Sequence, residues 1–126
     1  MAQLIEWSIG QQLIGIIFLI AGVIQRYYPP QKINSLYGYR TERSMKDQQN
    51  WDEGNRYSAV LMIKASVILI VAGVILAWLL AQIDMGDDAK MLIRVALMIL
   101  SAAITVVVMF RCTEKHLKST FKDTTQ

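Results

Sequence analysis

Three long apolar runs set the pattern of the chain: Leu4 to Ile24, Tyr57 to Leu80 and Met91 to Phe110. Each supplies about the 20 apolar residues that a helix needs to cross a bilayer. A polar stretch over residues 25–56 separates the first two, a short acidic connection separates the last two, and a polar tail occupies residues 111–126. The pattern predicts an all-α membrane protein with three transmembrane helices and a structured loop between the first and second. At 126 residues there is room for one such domain, 1–126. The first run has no Lys or Arg before it and ends in QRYYPP, without a small-residue cleavage site, so it is expected to stay in the mature protein.

The polar stretch has its own punctuation. Pro29 and Pro30 stop the first helix, because neither has a backbone N–H and each restricts its predecessor to extended conformations. Gly38, between Tyr37 and Tyr39, reads as a turn. Ser44 followed by Asp47 fits a variant of the capping box and predicts a helix starting at Met45 that runs without proline into the second span. Gly54 is the weak point of that helix, costing about 1 kcal/mol relative to Ala. Trp51, Tyr57, Tyr27 and Tyr28 then lie near the headgroup level, where amphipathic rings anchor. Arg40 and Arg43, just ahead of the expected helix start, read either as an anion site for a lipid phosphate or an acidic peptide group or, more commonly for such residues, as a solvated basic loop with no ligand.

Charge then orients the protein. Arg26, Lys32, Arg40, Arg43, Lys46 and Arg56 fall in the first connection, and Arg111, Lys115, Lys118 and Lys122 in the tail, whereas Asp84, Asp87 and Asp88 mark the second connection. Excess Lys and Arg stays cytoplasmic, so the loop and the C-terminus face inward and the N-terminus outward. The net charge of +3 and pI near 9.1 are read as topology and contact with anionic lipid headgroups, not as a nucleic-acid footprint.

Polar groups are sparse within the spans. Glu6 and Arg94 stand at similar outer depths and can pair, or be solvated by headgroups separately. Lys64 lies about two turns into the second span, within reach of the surface by snorkelling. Small residues recur every seven positions, as Ser8, Gly15 and Gly22 in the first span and Ala59, Ser66 and Gly73 in the second, which predicts close helix contact. Ala96, Ser101, Ala102, Ala103 and Thr105 make the third span a further packing partner.

Catalytic signatures are missing: no HExxH, no phosphate-binding glycine loop, and one Cys and one His, Cys112 and His116, just past the third span. These two share a helical face but are too few for a zinc site, and are expected to be a juxtamembrane thiol and a solvated imidazole. No enzyme activity, metal or cofactor is expected.

The order Asn34, Gly38, Tyr39, Arg40, Thr41, Ser44, Trp51, Asn55 and Arg56 through the loop resembles the SdpI family of bacterial integral membrane proteins. The resemblance implies an inner-membrane protein related to immunity factors that protect a producing cell from a secreted antimicrobial peptide toxin. The family's namesake carries additional membrane segments before the shared region, and the resemblance here covers the three-span unit. Proline exit, the Gly38 turn and the Ser44 cap are expected to fold the loop back on the second helix, gathering Asn34, Arg40, Thr41, Ser44, Trp51 and Asn55 at the cytoplasmic face. Arg40 would orient the loop through carbonyls, Asp47 or an acidic ligand. Three functions compete: immunity through a peptide toxin, recruitment of a cytoplasmic protein such as a repressor, and a small transport component. A second copy of the chain is a further candidate partner.

Overall fold

In a computed structural model, the structure describes residues 9–121. Three helices make up the fold: α1, Gln11–Tyr27; α2, Gln48–Ala81; and α3, Asp87–Thr120. Glu6 and Ser8, with the expected Glu6 to Arg94 pair, lie outside the described residues, as does the start of the first apolar run.

α1 ends where the prolines require it. The Tyr28 amide donates to the Ile24 carbonyl oxygen at 2.7 Å, and Pro29 and Pro30 then carry the chain away. α2 begins later than the Ser44 cap predicts. Its N-cap is Asp47, whose carboxylate accepts the Asn50 amide at 2.8 Å. The Ser44 hydroxyl is occupied elsewhere, donating to the Tyr39 carbonyl oxygen and accepting the Thr41 amide. The helix does continue unbroken through residues 48–81. α3 is also longer than its apolar run, continuing past Phe110 to Thr120, so residues 111–120 of the expected tail are the end of a helix. Asp87 and Asp88 occupy its first turn and Lys118 its last, each sign opposing the local end of the helix dipole.

α1 and α2 meet along the small-residue stripes. A Cβ added to Gly15 would lie 2.9 Å from the Ser66 carbonyl oxygen, and one added to Gly22 would lie 3.1 Å from that of Ala59. Gly73 faces Gln12 in the same way. α3 lies against this pair more loosely. Its buried positions are Arg94, Thr113 and Leu117, near its two ends, and a bond from Gln11 Nε2 to Ser101 Oγ at 3.1 Å ties α1 to its middle.

Large apolar side chains cover the outside: Ile68 is 68% exposed and Ile99 62%. A soluble protein seldom exposes so continuous an apolar surface, so these helices are not the core of a water-soluble fold. α2 and α3 are each long and apolar enough to cross a bilayer. α1 has 17 residues, about 25 Å at 1.5 Å per residue, against a hydrocarbon core of about 30 Å. The hairpin of α2 and α3 puts the loop and the end of α3 together and the acidic turn at the opposite end.

Candidate functional site

The loop is fastened to α2 through Asn55. This side chain is 1% exposed; its Oδ1 accepts the Tyr39 amide at 2.6 Å and its Nδ2 donates to the Trp51 carbonyl oxygen at 2.8 Å. Gly38 is required just before it. Its φ is +108°, and a Cβ there would meet Pro30 Cγ at 2.6 Å and strike the Asn55 amide. From the other side, Gln25 of α1 donates to the Asn55 carbonyl oxygen at 2.9 Å and to Ser58 Oγ at 2.8 Å. One buried polar network thus joins α1, the loop and α2.

Trp51 is not an interfacial anchor. It is fully buried beneath the loop, and its indole N–H donates to the Pro30 carbonyl oxygen at 2.7 Å. The ring supplies apolar bulk that holds the loop down, and its one polar atom satisfies a carbonyl that proline geometry turns inward. Tyr27 and Tyr28 remain well exposed, as interfacial rings would be. Gly54 lies buried between Tyr39, Ser44 and Leu117, where an added Cβ would come within 3.4 Å of each, so its missing side chain lets the loop and α3 approach α2.

Thr41 and Ser44 close the next turn reciprocally: the Thr41 amide donates to Ser44 Oγ at 2.8 Å, and the Ser44 amide to Thr41 Oγ1 at 3.1 Å. Thr41 Oγ1 then donates to Glu114 Oε1 at 2.6 Å, and the Tyr39 hydroxyl donates to the same oxygen at 2.7 Å. Arg43 Nε lies 3.5 Å from the other carboxylate oxygen. Glu114 therefore clamps the loop to α3. Burial, and then the neighbouring Glu114 carboxylate, push the Tyr39 hydroxyl pKa well above its usual 10.0, so it serves as a donor.

A second carboxylate joins α2 to α3. Glu53 pairs with Arg56, whose Nε lies 3.0 Å away, and lies 2.8 Å from His116 Nε2, while the His116 ring stacks on Tyr57 at 4.0 Å. The Arg56 bond first, and His116 after it, hold the Glu53 pKa down at about 2. His116 is thus not the solvated imidazole that the sequence predicts.

Asn34 and Arg40 sit at the exposed rim. Asn34 Oδ1 accepts the Leu36 and Tyr37 amides, which shapes the loop tip, and Arg40 donates to the Ser35 carbonyl oxygen. The anion site expected from Arg40 and Arg43 has a different geometry. Asp47 already supplies negative charge at the α2 N-terminus, and Arg43 faces Glu114. The structure therefore gathers Gly38, Tyr39, Thr41, Ser44, Trp51 and Asn55, with Asn34 and Arg40 at the rim and Arg56 in the Glu53 cluster. Lys64 is exposed farther along α2, and Arg94 is buried near the opposite end of the molecule. Sequence reasoning missed Gln25, Glu53 and Glu114. The spacing of Phe110, Thr113 and Leu117 is the signal that could have extended α3 and brought Glu114 into view.

Residues 31–110 match the model of the SdpI/YfhL protein family. The chain is 41% identical over 104 residues to a Bacillus subtilis (strain 168) protein named uncharacterized protein YfhL, an alignment spanning 82% of each chain. No solved structure matches.

Proposed function

The chain belongs to the SdpI/YfhL protein family, and on that premise we propose that it is a multi-pass protein of the bacterial inner membrane that gives resistance to a secreted antimicrobial peptide toxin. It acts by binding and not by catalysis. α1 is the third span, the loop and C-terminus are cytoplasmic, and the N-terminus is outside, in keeping with the Lys and Arg distribution. One observation carries the reading. The polar atoms of Tyr39, Thr41, Ser44, Trp51 and Asn55 are spent on one another and on the helices, so the loop is fixed and turns outward Leu36, at 89% exposed, with Ile33, Tyr37 and Arg40 beside it. A rigid apolar tip beside a cation suits an amphipathic peptide that has crossed to the cytoplasmic surface of the membrane.

Expression in a sensitive bacterium, challenged with a panel of secreted peptides, tests this: survival should rise strongly against one peptide. Unchanged survival against all of them would oppose it. A second reading draws on a basin of about 750 Å³ lined by Thr41, Glu42, Arg43, Lys46 and Glu114, broad enough to dock a soluble cytoplasmic partner. A soluble protein captured by the parent and lost on Glu42→Lys would favour recruitment.

A further inference from the structure

Two cavities border both α2 and α3. The first, about 220 Å³, opens beneath the loop and is lined by Gln25, Tyr39, Arg40 and Ser58, with Met62, Met109 and Phe110 at its floor. The second, about 280 Å³, continues from the same Met62 and Met109 into the apolar zone, past Ala65, Ile68, Ile104 and Val108. Met62 and Met109 line both, so the two cavities meet at these side chains, with the polar one on the loop side and the apolar one beyond. Their charge is one-sided: Arg40 lines the loop end and Lys64 the apolar part, and neither cavity has a carboxylate in its lining. The loose middle of α3 leaves them open toward the surroundings, since the buried positions of that helix cluster near its ends.

We propose that an anionic phospholipid of the cytoplasmic leaflet binds across the two cavities, its phosphate at Arg40 and one acyl chain along Met62, Ala65 and Ile104. An exposed guanidinium at headgroup level matches a phosphate diester. Lys64, on a four-carbon stem, can bring its ammonium toward the same level. Flexible methionine side chains at the junction adapt to a bent acyl chain. The inference rests on the membrane placement and not on peptide resistance, so a chain that protects no cell would still retain the lipid.

The test uses the full chain in neutral detergent with an Ala65→Cys substitution in a Cys112→Ser background, and reads the rate of maleimide labelling at position 65. Dioleoyl phosphatidylglycerol should slow labelling about fivefold more than dioleoyl phosphatidylcholine at equal mole fraction, as expected for roughly one cation's contact with anionic lipid. Arg40→Gln should erase that difference, and Lys32→Gln, which lies outside both cavities, should keep it. Native mass spectrometry of the unsubstituted chain gives an independent reading, with phosphatidylglycerol retained in preference to phosphatidylcholine. Equal protection and equal retention of the two lipids would overturn the proposal. So would protection by an acidic apolar peptide with none from phosphatidylglycerol.

Discussion

Glu114 is the residue on which the loop depends most, because one carboxylate takes hydrogen bonds from Tyr39 and Thr41 and an ion pair from Arg43. Glu114→Gln should lower stability by about 2 kcal/mol, a sum reduced by the partial exposure of the site, and Glu42→Gln on the exposed neighbouring surface by no more than about 0.5 kcal/mol. Unfolding in a fixed detergent compares the two; equal values would remove the clamp. Glu53 adds a pH dependence. Its pKa is depressed from 4.5 to about 2, so the stability it contributes is complete above 4.5 and is lost as pH falls toward 2. Limited proteolysis of the α3 end should show release across that window, and Glu53→Gln should lack the step. These contacts were largely illegible beforehand. The loop motif drew the eye to Tyr39, Thr41 and Asn55, but Thr41 and Glu114 are 73 residues apart, and no local periodicity links them. Trp51 shows the opposite failure, since a tryptophan beside a membrane span suits an interfacial anchor and a buried plug equally well until the loop's path is known.

At the scale of the helices, the heptad recurrence of small residues was readable because close helix approach demands it on one face, and Gly15, Gly22, Ala59, Ser66 and Gly73 are all buried. Gly15→Leu should therefore disrupt the packing of α1 on α2, lowering detergent stability far more than Ile20→Ala, whose side chain is 56% exposed. Similar unfolding temperatures for the two would refute the contact. Helix ends were harder to read. Ser44 and Asp47 are both good caps, and the choice between them depends on where the Ser44 hydroxyl is used, which is a tertiary question. The end of α3 was hidden by its polarity: once a helix leaves the lipid its hydropathy falls, yet Thr113 and Leu117 are fully buried against the rest of the fold. Leu117→Ala should cost about 2–5 kcal/mol, measured in the same unfolding assay, whereas a frayed tail would make it silent.

For the whole molecule, the proposed topology places position 45 in the loop and position 118 near the C-terminus inside, and position 86 outside. Single cysteines there, in a Cys112→Ser background, should react with an impermeant maleimide on intact cells at position 86 alone; Gly86 has open space for the new side chain. Labelling at 45 with protection at 86 would invert the protein. The alternation of apolar and polar runs made the three helices legible, because bilayer thickness acts directly on sequence. The site was legible only as a motif, since its energy lies in contacts that the loop makes after folding back. The most direct measurement is the inhibitory concentration of a toxic peptide against a sensitive strain producing either the parent or Arg40→Lys, at matched membrane abundance. The account predicts marked protection by the parent and its loss in the variant, whose flexible ammonium cannot reproduce the guanidinium fork. Equal protection by both, or by neither against any peptide, would contradict it.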